Sequence, residues 1–413
     1  MLMTQNKKIR IKLPTDPRLW LAIVAFCEKN IIRYIVLVMS MLPALSYLSG
    51  FVVPLLYIIT IFACIRKVNK ISLSGTGVLV FMLGAFIWTW AFFPANTEYI
   101  FDENNFWNSI FPCLRWYIVA LLFVPTEKNM KILGKVSCVS VFVEILFVVA
   151  YMMPNGLLEA DDMSRAYQLL PNILLVFNYA FNDKKFLPWL FSALGAVYLL
   201  AMGTRGPLII LLVFIFLKFL KNITTRTWKK VLIGIVFVAI GIAFIESDLF
   251  IDFLQLIRRY LLQMGFSTRI VDFAIEGNMI SYTSGRDDIY SVAFQLIKER
   301  PLLGYGIYGE WPVIGWNIHN MYLEILIHYG VILGVVILIW LINLVRKAYF
   351  TSKNESAKDM ILIFLCFVFV RGFFGGSYLL FGTFFLIGLC IKELGRARSN
   401  PFFNGQSMQQ REN

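Results

Sequence analysis

The sequence NIHNMYLEILIHYGVILGVVILIW at residues 317–340 decides the class of fold. Beyond its first residues the stretch is apolar for about the 20 residues that a helix needs to cross a lipid bilayer. The chain has only two histidines, and both fall here: His319 at the start of the apolar run and His328 within it. Ionisable groups in and beside an apolar segment require a physical explanation.

The composition of the whole chain indicates a polytopic membrane protein. Of 413 residues, 59% are hydrophobic and 15% are charged, and the mean hydropathy is +0.72, which excludes an ordinary soluble domain. The net charge of +13 lies in short connections between apolar segments, which indicates cytoplasmic anchoring rather than nucleic-acid binding. The six cysteines form no CxxC pair and lie mostly in apolar runs, so we expect neither a disulfide nor a zinc site.

Twelve apolar segments predict an all-α polytopic integral membrane protein. They are residues 31–48, 51–65, 73–93, 108–124, 132–153, 167–182, 186–203, 206–220, 230–246, 319–345, 358–373 and 376–392. Every second connection carries at least two Lys or Arg residues, as cytoplasmic loops do. The opposite connections include residues 94–107, which contain no Lys or Arg. Both termini are therefore predicted to lie in the cytoplasm.

This topology divides the chain into five regions. They are a cytoplasmic N-terminal tail (1–30), transmembrane helices 1–9 (31–246), a large extracytoplasmic loop (247–318), transmembrane helices 10–12 (319–392) and a cytoplasmic C-terminal tail (393–413). The loop is partly helical, because FIDFLQLIRRYLLQM at 250–264 and GRDDIYSVAFQLIKER at 285–300 both have helical apolar spacing. The first suits a helix on the outer leaflet, and Pro301 ends the second.

Five cationic or titratable side chains gather on the outer side in this topology. Arg205 lies in an outward turn, Arg286 opens the second loop helix, and His319 starts the tenth segment. Arg115 and Arg371 lie near the outer ends of the fourth and eleventh segments. An arginine in the membrane usually faces a partner or an aqueous cavity, and its planar fork binds phosphate bidentately. The set predicts a site for an anionic ligand.

Each of these residues also has a purely structural interpretation. Arg205 can cap a hairpin against headgroups, and Arg286 can pair with an aspartate that follows it. Arg115 can pair with a carboxylate such as Glu144, and Arg371 can extend to headgroups. His319 can be an interfacial residue, and His328 is interpreted as a polar helix-packing group. No metal-binding or nucleotide-binding motif accompanies them in the sequence.

The order of three motifs resembles the O-antigen polymerase and ligase superfamily. Gly285–Arg286 opens a helix, Pro301–Gly306 reads PLLGYG, and His319–Asn320 starts the following helix. The TRG at 204–206 is similar to an earlier element of that family. The resemblance implies a GT-C-like fold and a glycosyltransferase that acts without a metal ion or other cofactor on glycans linked to undecaprenyl diphosphate.

The resemblance also implies roles for the site residues. His319 would accept the proton of the attacking sugar hydroxyl, and Arg205 and Arg286 would stabilise the departing diphosphate. We add Arg115 and Arg371 as ligands of the lipid diphosphate, and expect Asn320 to orient His319, cap the helix or contact substrate. Neighbouring arginines would lower the pKa of His319 and keep it neutral.

The sequence therefore predicts a bacterial cytoplasmic-membrane polymerase of O-antigen, capsular polysaccharide or exopolysaccharide, with its active site facing outward. Its expected partners are lipid-linked glycan donor and acceptor, membrane lipids, a flippase and a chain-length regulator, and no nucleic acid. Two alternatives stay open. One is an O-antigen ligase that transfers glycan to lipid A core, and the other is a transporter or flippase of an anionic lipid-linked substrate.

Overall fold

The chain folds as an assembly of helices. The structure, a computed structural model, describes residues 41–44, 73–102, 111–155, 162–202, 205–221, 248–263, 268, 271–272, 275, 286–315 and 318–398. Within these ranges the chain forms helices, turns and loops and contains no strand. The predicted segments 51–65 and 230–246, and most of 31–48, lie outside the described residues.

Fourteen α-helices are used below to locate the site. They are α1 (Leu73–Phe92), α2 (Thr97–Ile100), α3 (Phe111–Leu122), α4 (Glu127–Phe147), α5 (Asp162–Asp183), α6 (Phe186–Ala201), α7 (Arg205–Lys221), α8 (Asp248–Gln263), α9 (Arg286–Glu299), α10 (Trp311–Ile314), α11 (Met321–Thr351), α12 (Glu355–Leu365), α13 (Arg371–Phe374) and α14 (Phe381–Arg398). Short π-helical turns, Val148–Met152 and Cys366–Val370, extend α4 and join α12 to α13.

Helices occur at nine of the twelve predicted segments. By length and composition, two helical stretches in the described ranges could cross a membrane, Glu127–Met152 and Met321–Thr351. A third qualifies if Thr76–Phe92 and Pro94–Ile100, which are bent by 116°, form one span. These findings support an all-helical membrane protein, while the count of twelve spans and the GT-C-like architecture stay predictions.

Two central helices organise the packing. Helix α5 contacts α4, α6, α7 and α12, and helix α14 contacts α3, α11 and α12. Phe385 of α14 packs closely against α12 and α3. Its ring centroid lies 4.3 Å from that of Phe364 and 5.9 Å from that of Trp116. Cys113, Cys138, Cys366 and Cys390 are buried and free, as predicted for small apolar side chains.

Helix α11 is interrupted at Gly330. Its φ of 74° and ψ of 171° are not helical, so the helix continues from Val331 in a new direction. An interruption leaves backbone groups without intrahelical partners, and in an apolar environment those groups must find others. The sequence HYGVILG gave no sign of the interruption, because glycine is common inside transmembrane helices.

The glycine-rich turn Pro301–Gly306 supplies the missing partners. Backbone N–H groups of Tyr305 and Gly306 donate to the carbonyls of Ile327 and His328, at 2.8 and 3.0 Å. The N–H of Val331 donates to the Pro301 carbonyl at 2.6 Å. Gly304 and Gly306 have φ of 66° and 78°, which glycine adopts without strain, so the motif residues allow the turn to reach the helix backbone.

The bent α1–α2 pair holds this turn from the other side. Asn96 Nδ2 donates to the carbonyls of Tyr305 and Ile307 at 2.7 and 3.2 Å, and the Ile307 N–H donates to Thr89 Oγ1 at 3.1 Å. Residues about 210 positions apart in the chain therefore fix the turn against α11.

The two helices predicted in the long loop are present as α8 and α9. Arg286 begins α9, and Pro301 follows its end at Glu299, as predicted. Helix α9 packs on α11 through Ala293 and Leu296, which are buried with Ile318 and Ile327. The loop is thus attached to the start of the tenth predicted segment.

We expect Gly330→Ala to destabilise the protein strongly. A Cβ at Gly330 would lie 2.6 Å from the Leu302 carbonyl carbon, and the positive φ adds strain of about 1–2 kcal/mol. Thermal unfolding in detergent should show a clearly lower midpoint. Gly84→Ala in α1 is the control, because nothing lies within 4 Å of its added Cβ. Equal midpoints for the two variants would contradict this account of the interruption.

Candidate active site

The backbone carbonyl of Phe374 is the point at which three elements of the candidate site meet. The Arg286 guanidinium of α9 donates to it at 3.0 Å, and the Tyr167 hydroxyl of α5 donates to it at 3.0 Å. Phe374 ends the short helix α13, where carbonyls lack intrahelical partners and attract cations. The carbonyl therefore fixes Arg286 beside α5 and α13.

Arg371, the first residue of α13, lies in the same place. Its guanidinium carbon is 4.4 Å from the centroid of the Tyr167 ring and 5.1 Å from that of Phe367, so aromatic faces support it. Its Nε is buried without a hydrogen-bond partner among the described residues. A buried donor without an acceptor can bind a ligand acceptor at low cost, because its desolvation has already occurred.

Arg205 begins α7 immediately beside this group. The structure describes its backbone, and the neighbouring Gly206 defines its position. A Cβ at Gly206 would overlap the Tyr167 hydroxyl and lie 3.3 Å from Phe374 Cβ. The start of α7 therefore lies close to Tyr167 and Phe374, which Arg286 also approaches, and only glycine allows this approach of α7 to α5.

His319 completes the group. Its φ of 59° is left-handed, which is uncommon for a residue other than glycine, and it is one of three such residues in the described ranges. Asn320 follows with an extended backbone, and its side chain caps α11 by accepting from the N–H groups of Tyr322 and Leu323 at 3.0 and 3.2 Å. The capping alternative for Asn320 is thus confirmed, which leaves its amide group for other contacts.

The charges of the neighbouring arginines act on His319. The residue is exposed as a whole, yet partial burial of its ring lowers the pKa below the ordinary value, and the positive charges of Arg286 and Arg371 lower it further. The expected direction of the shift is confirmed. A neutral imidazole at physiological pH can accept a proton.

Arg115 has different described neighbours. Its guanidinium carbon lies 4.9 Å from the centroid of the Trp116 ring on α3. The alternative that pairs Arg115 with Glu144 is wrong, because Glu144 forms a buried salt bridge with Arg165 and also accepts hydrogen bonds from Tyr198 Oη and the Ala44 N–H. A role for Arg115 in binding a diphosphate stays a prediction.

A buried polar network connects α11 to the loop before α10 and to the turn after α13. Most of this network was not predicted from the sequence. His328 Nε2 is 2.6 Å from Glu310 Oε2, and its Nδ1 is 2.8 Å from the Tyr378 hydroxyl. The Tyr378 hydroxyl also donates to that of Tyr329 at 3.2 Å. The interpretation of His328 as a polar packing group is consistent with these contacts.

Glu324 extends the network to the turn after α13. Its carboxylate accepts from Ser377 Oγ at 2.6 Å and from the Tyr378 N–H at 3.1 Å. Tyr322 adds a third link, because its hydroxyl donates to the Phe369 carbonyl at 2.8 Å. The start of α11 is therefore bonded to residues on both sides of α13, which fixes His319 relative to Arg371.

One sequence signal could have revealed part of this network. Glu324 and His328 are four residues apart, so they lie on one face of a helix. Two titratable residues on one face of an apolar helix predict a polar partner from another segment. Nothing in the sequence identifies that partner as Glu310, which lies in the loop just before α10.

The charge of the site depends on whether acidic side chains pair with its arginines. Among the ion pairs formed within the described ranges, none involves Arg286 or Arg371. In the part of the chain that the structure describes, Arg286 contacts the Phe374 carbonyl and Arg371 contacts aromatic rings, and none of these groups carries a negative charge. Two charged donors beside a neutral imidazole can bind an anion and accept a proton next to it.

These features define the class of protein: an all-helical membrane protein with a cationic site on one face. The sequence model of the O-antigen ligase family matches residues 190–339, a range that contains Arg205, Arg286, His319 and Asn320. This match supports the resemblance to the O-antigen polymerase and ligase superfamily that the motifs predicted. A search of curated proteins found no match. The family supports an enzyme of polysaccharide synthesis.

We expect the imidazole of His319 to titrate below about pH 6.5, the ordinary value for histidine. NMR of protein labelled at the histidine ring carbons can follow it directly, because the chain has two histidines and His328→Gln identifies the other signal. Arg286→Met should raise this pKa, because it removes a positive charge that disfavours the imidazolium. Arg346→Met, at the far part of α11, is the control. An unchanged titration in Arg286→Met would contradict the electrostatic coupling.

Proposed function

We propose that the protein polymerises lipid-linked oligosaccharide repeat units at the outer face of the cytoplasmic membrane. The observation that carries the proposal is the group formed by Arg286, Arg371 and His319. It combines two guanidinium groups that form no ion pair with the described residues with a histidine of lowered pKa. A glycan attached to a polyprenyl diphosphate presents the anion that such a group would bind, and the family match supports this class of substrate.

The reaction requires a proton acceptor and a group that stabilises the departing diphosphate. An acceptor hydroxyl attacks the anomeric carbon of the donor sugar, the new C–O bond forms, and the bond from that carbon to the diphosphate oxygen breaks. His319 would take the hydroxyl proton, a role that contributes about 10²–10⁴-fold in enzymes. Arg205 and Arg286 would stabilise the charge that develops on the diphosphate, so that no metal ion is required.

Arg371 and Asn320 would contribute to substrate binding. The buried Nε of Arg371 offers a donor for a diphosphate oxygen, while its ring contacts hold the guanidinium in place. The Asn320 Nδ2 group offers a donor beside His319, because its Oδ1 is occupied by the helix cap. Arg115 would act as a further ligand of the same lipid diphosphate.

The identity of the acceptor separates two candidate enzymes. A second lipid-linked repeat unit makes the protein a polymerase, and lipid A core makes it a ligase. The matching family is described as O-antigen ligase, and the match is compatible with either acceptor. Both enzymes would use the same donor and the same chemistry, so the described site is compatible with either.

Transport of a lipid-linked substrate is the alternative from another class. The interruption of α11 is a feature that transporters also use at their substrate sites. Here the backbone groups freed at Gly330 are bonded to the turn Pro301–Gly306, which leaves fewer of them to line a binding cavity. The interruption therefore supports a structural role more strongly than a transport role.

A reconstituted assay tests the proposal. Purified protein in liposomes receives undecaprenyl-diphosphate-linked repeat units, with and without lipid A core, in separate reactions with and without EDTA. Growth of the product by whole repeats supports the polymerase, and a glycan joined to lipid A core supports the ligase. Substrate that crosses the bilayer without chemical change would reject the enzyme in favour of transport.

Substitutions at the site should abolish transfer. We expect His319→Ala, Arg205→Ala and Arg286→Ala each to lower the rate by at least about 10²-fold. Arg346→Ala is the matched control, because Arg346 is exposed and bonds only locally to Asn343. Size-exclusion profiles of all four proteins establish that they remain folded. Full activity in His319→Ala would contradict the assignment of the base.

The contact between Gly206 and Tyr167 gives a second test of the site geometry. Gly206→Ala should lower activity, because the added Cβ overlaps the Tyr167 hydroxyl and displaces α7 with Arg205. Tyr167→Phe removes that oxygen, so the double variant should recover part of the activity. Tyr167→Phe alone is the reference. A double variant as inactive as Gly206→Ala would show that the two residues do not oppose each other.

A further inference from the structure

Glu310, Glu324 and His328 form a compact cluster that the proposed reaction does not use. One potential ligand atom from each residue lies within 4.8 Å of the others. Glu310 and His328 have no exposed surface, and Glu324 is 1% exposed. Carboxylate oxygen and imidazole nitrogen are common metal ligands. The three side chains come from separate positions, the loop before α10 and two turns of α11.

One atom of the cluster has no partner. Glu310 Oε1 is buried, and no donor among the described residues reaches it, whereas Glu310 Oε2 contacts His328. A buried carboxylate oxygen is costly unless a hydrogen bond or an ion satisfies it. The free oxygen of Glu310 therefore requires a ligand, and its neighbours are another carboxylate and an imidazole.

The charge of the cluster indicates the sign of that ligand. Two carboxylates are buried with one imidazole, and the side chains bonded to the three residues are the neutral Ser377 and Tyr378. A doubly charged cation would balance both carboxylates while the imidazole stays neutral. We propose that Glu310, Glu324 and His328 bind a divalent first-row transition metal ion, with Zn²⁺ the best match to this donor set.

The surrounding hydrogen bonds fit ligands that hold a metal. Ligating histidines usually donate their second ring N–H to a neighbour, and His328 Nδ1 lies 2.8 Å from the Tyr378 hydroxyl. Ligating carboxylates are usually hydrogen-bonded as well, and Glu324 accepts from Ser377 Oγ and the Tyr378 N–H. These bonds would orient His328 Nε2 and the Glu324 carboxylate in fixed directions.

Binding requires one local change. His328 Nε2 and Glu310 Oε2 are 2.6 Å apart, a hydrogen-bond separation. Two ligands of a tetrahedral zinc ion lie about 3.3 Å apart, given metal–ligand bonds of about 2.0–2.1 Å. The ion would take the place of the proton shared by this pair, and Glu310 would move slightly or turn its free Oε1 toward the ion. The loop before α10 provides that freedom.

The metal would be structural rather than catalytic. It would join the loop before α10 to α11, and through Tyr378 to the turn after α13. The reacting groups are separate, because His319 precedes α11 whereas His328 lies about two turns inside it. The ion would therefore stabilise the framework of the site and take no part in glycosyl transfer.

Metal analysis of the full-length protein purified in detergent tests this proposal. We expect about one equivalent of a divalent transition metal per chain, measured by elemental mass spectrometry, and at least about a tenfold lower content in Glu310→Gln and His328→Gln. Glu393→Gln is the matched control, because Glu393 is also a buried carboxylate but lies on α14 and pairs with Arg396. Its metal content should equal that of the wild type.

Thermal unfolding provides the readout if a variant is produced poorly. Chelator treatment should lower the unfolding midpoint of the wild type, and added ZnCl₂ should restore it, with no such response in Glu310→Gln. Less than about one tenth of an equivalent of metal, together with an unfolding midpoint that ZnCl₂ does not change, would overturn the proposal. Equal metal content in the wild type and Glu310→Gln would overturn it as well.

Discussion

The backbone pairing between the turn Pro301–Gly306 and the interrupted helix α11 is the constraint on which the rest of the structure depends. Three hydrogen bonds join peptide groups that would otherwise have no partners in an apolar environment. Each contributes about 1 kcal/mol when made, and leaving a buried group unpaired costs about 1–3 kcal/mol. The interruption at Gly330 and the turn therefore require each other, and together they set the position of the loop helix α9 and of Arg286 at its start.

Among the described residues, the arginines of the candidate site contact uncharged groups rather than carboxylates. Arg286 is fixed by a carbonyl at the end of α13, and Arg371 by the faces of Tyr167 and Phe367. By contrast, Arg165 and Lys218 are paired with the buried carboxylates Glu144 and Asp359. Arg286 and Arg371 can therefore offer their charge to a ligand, whereas Arg165 and Lys218 contribute to packing. The difference between them lies in the neighbours and not in the residue type.

Much of this arrangement could be predicted where the chemistry is local in sequence. The start of α9 at Arg286, its end before Pro301 and the cap formed by Asn320 all depend on neighbouring residues, and all are confirmed. Partners distant in the chain could not be predicted. Glu144 pairs with Arg165 rather than Arg115, and His328 contacts Glu310 and Tyr378. The packing of the helices, and not the spacing in the sequence, determines which buried polar groups are in contact.

The sequence separation of these contacts has a consequence for how the protein is made. Tyr305 and Ile327 pair across 22 positions, so α9, the turn and the first half of α11 can associate while the ribosome is still adding later helices. The bonds from Glu324 and His328 to the segment at 377–378 span about 50 positions and must wait for that segment. During synthesis, Glu324 and Nδ1 of His328 would therefore lack these partners until the segment at 377–378 is in place, whereas His328 Nε2 can already contact Glu310.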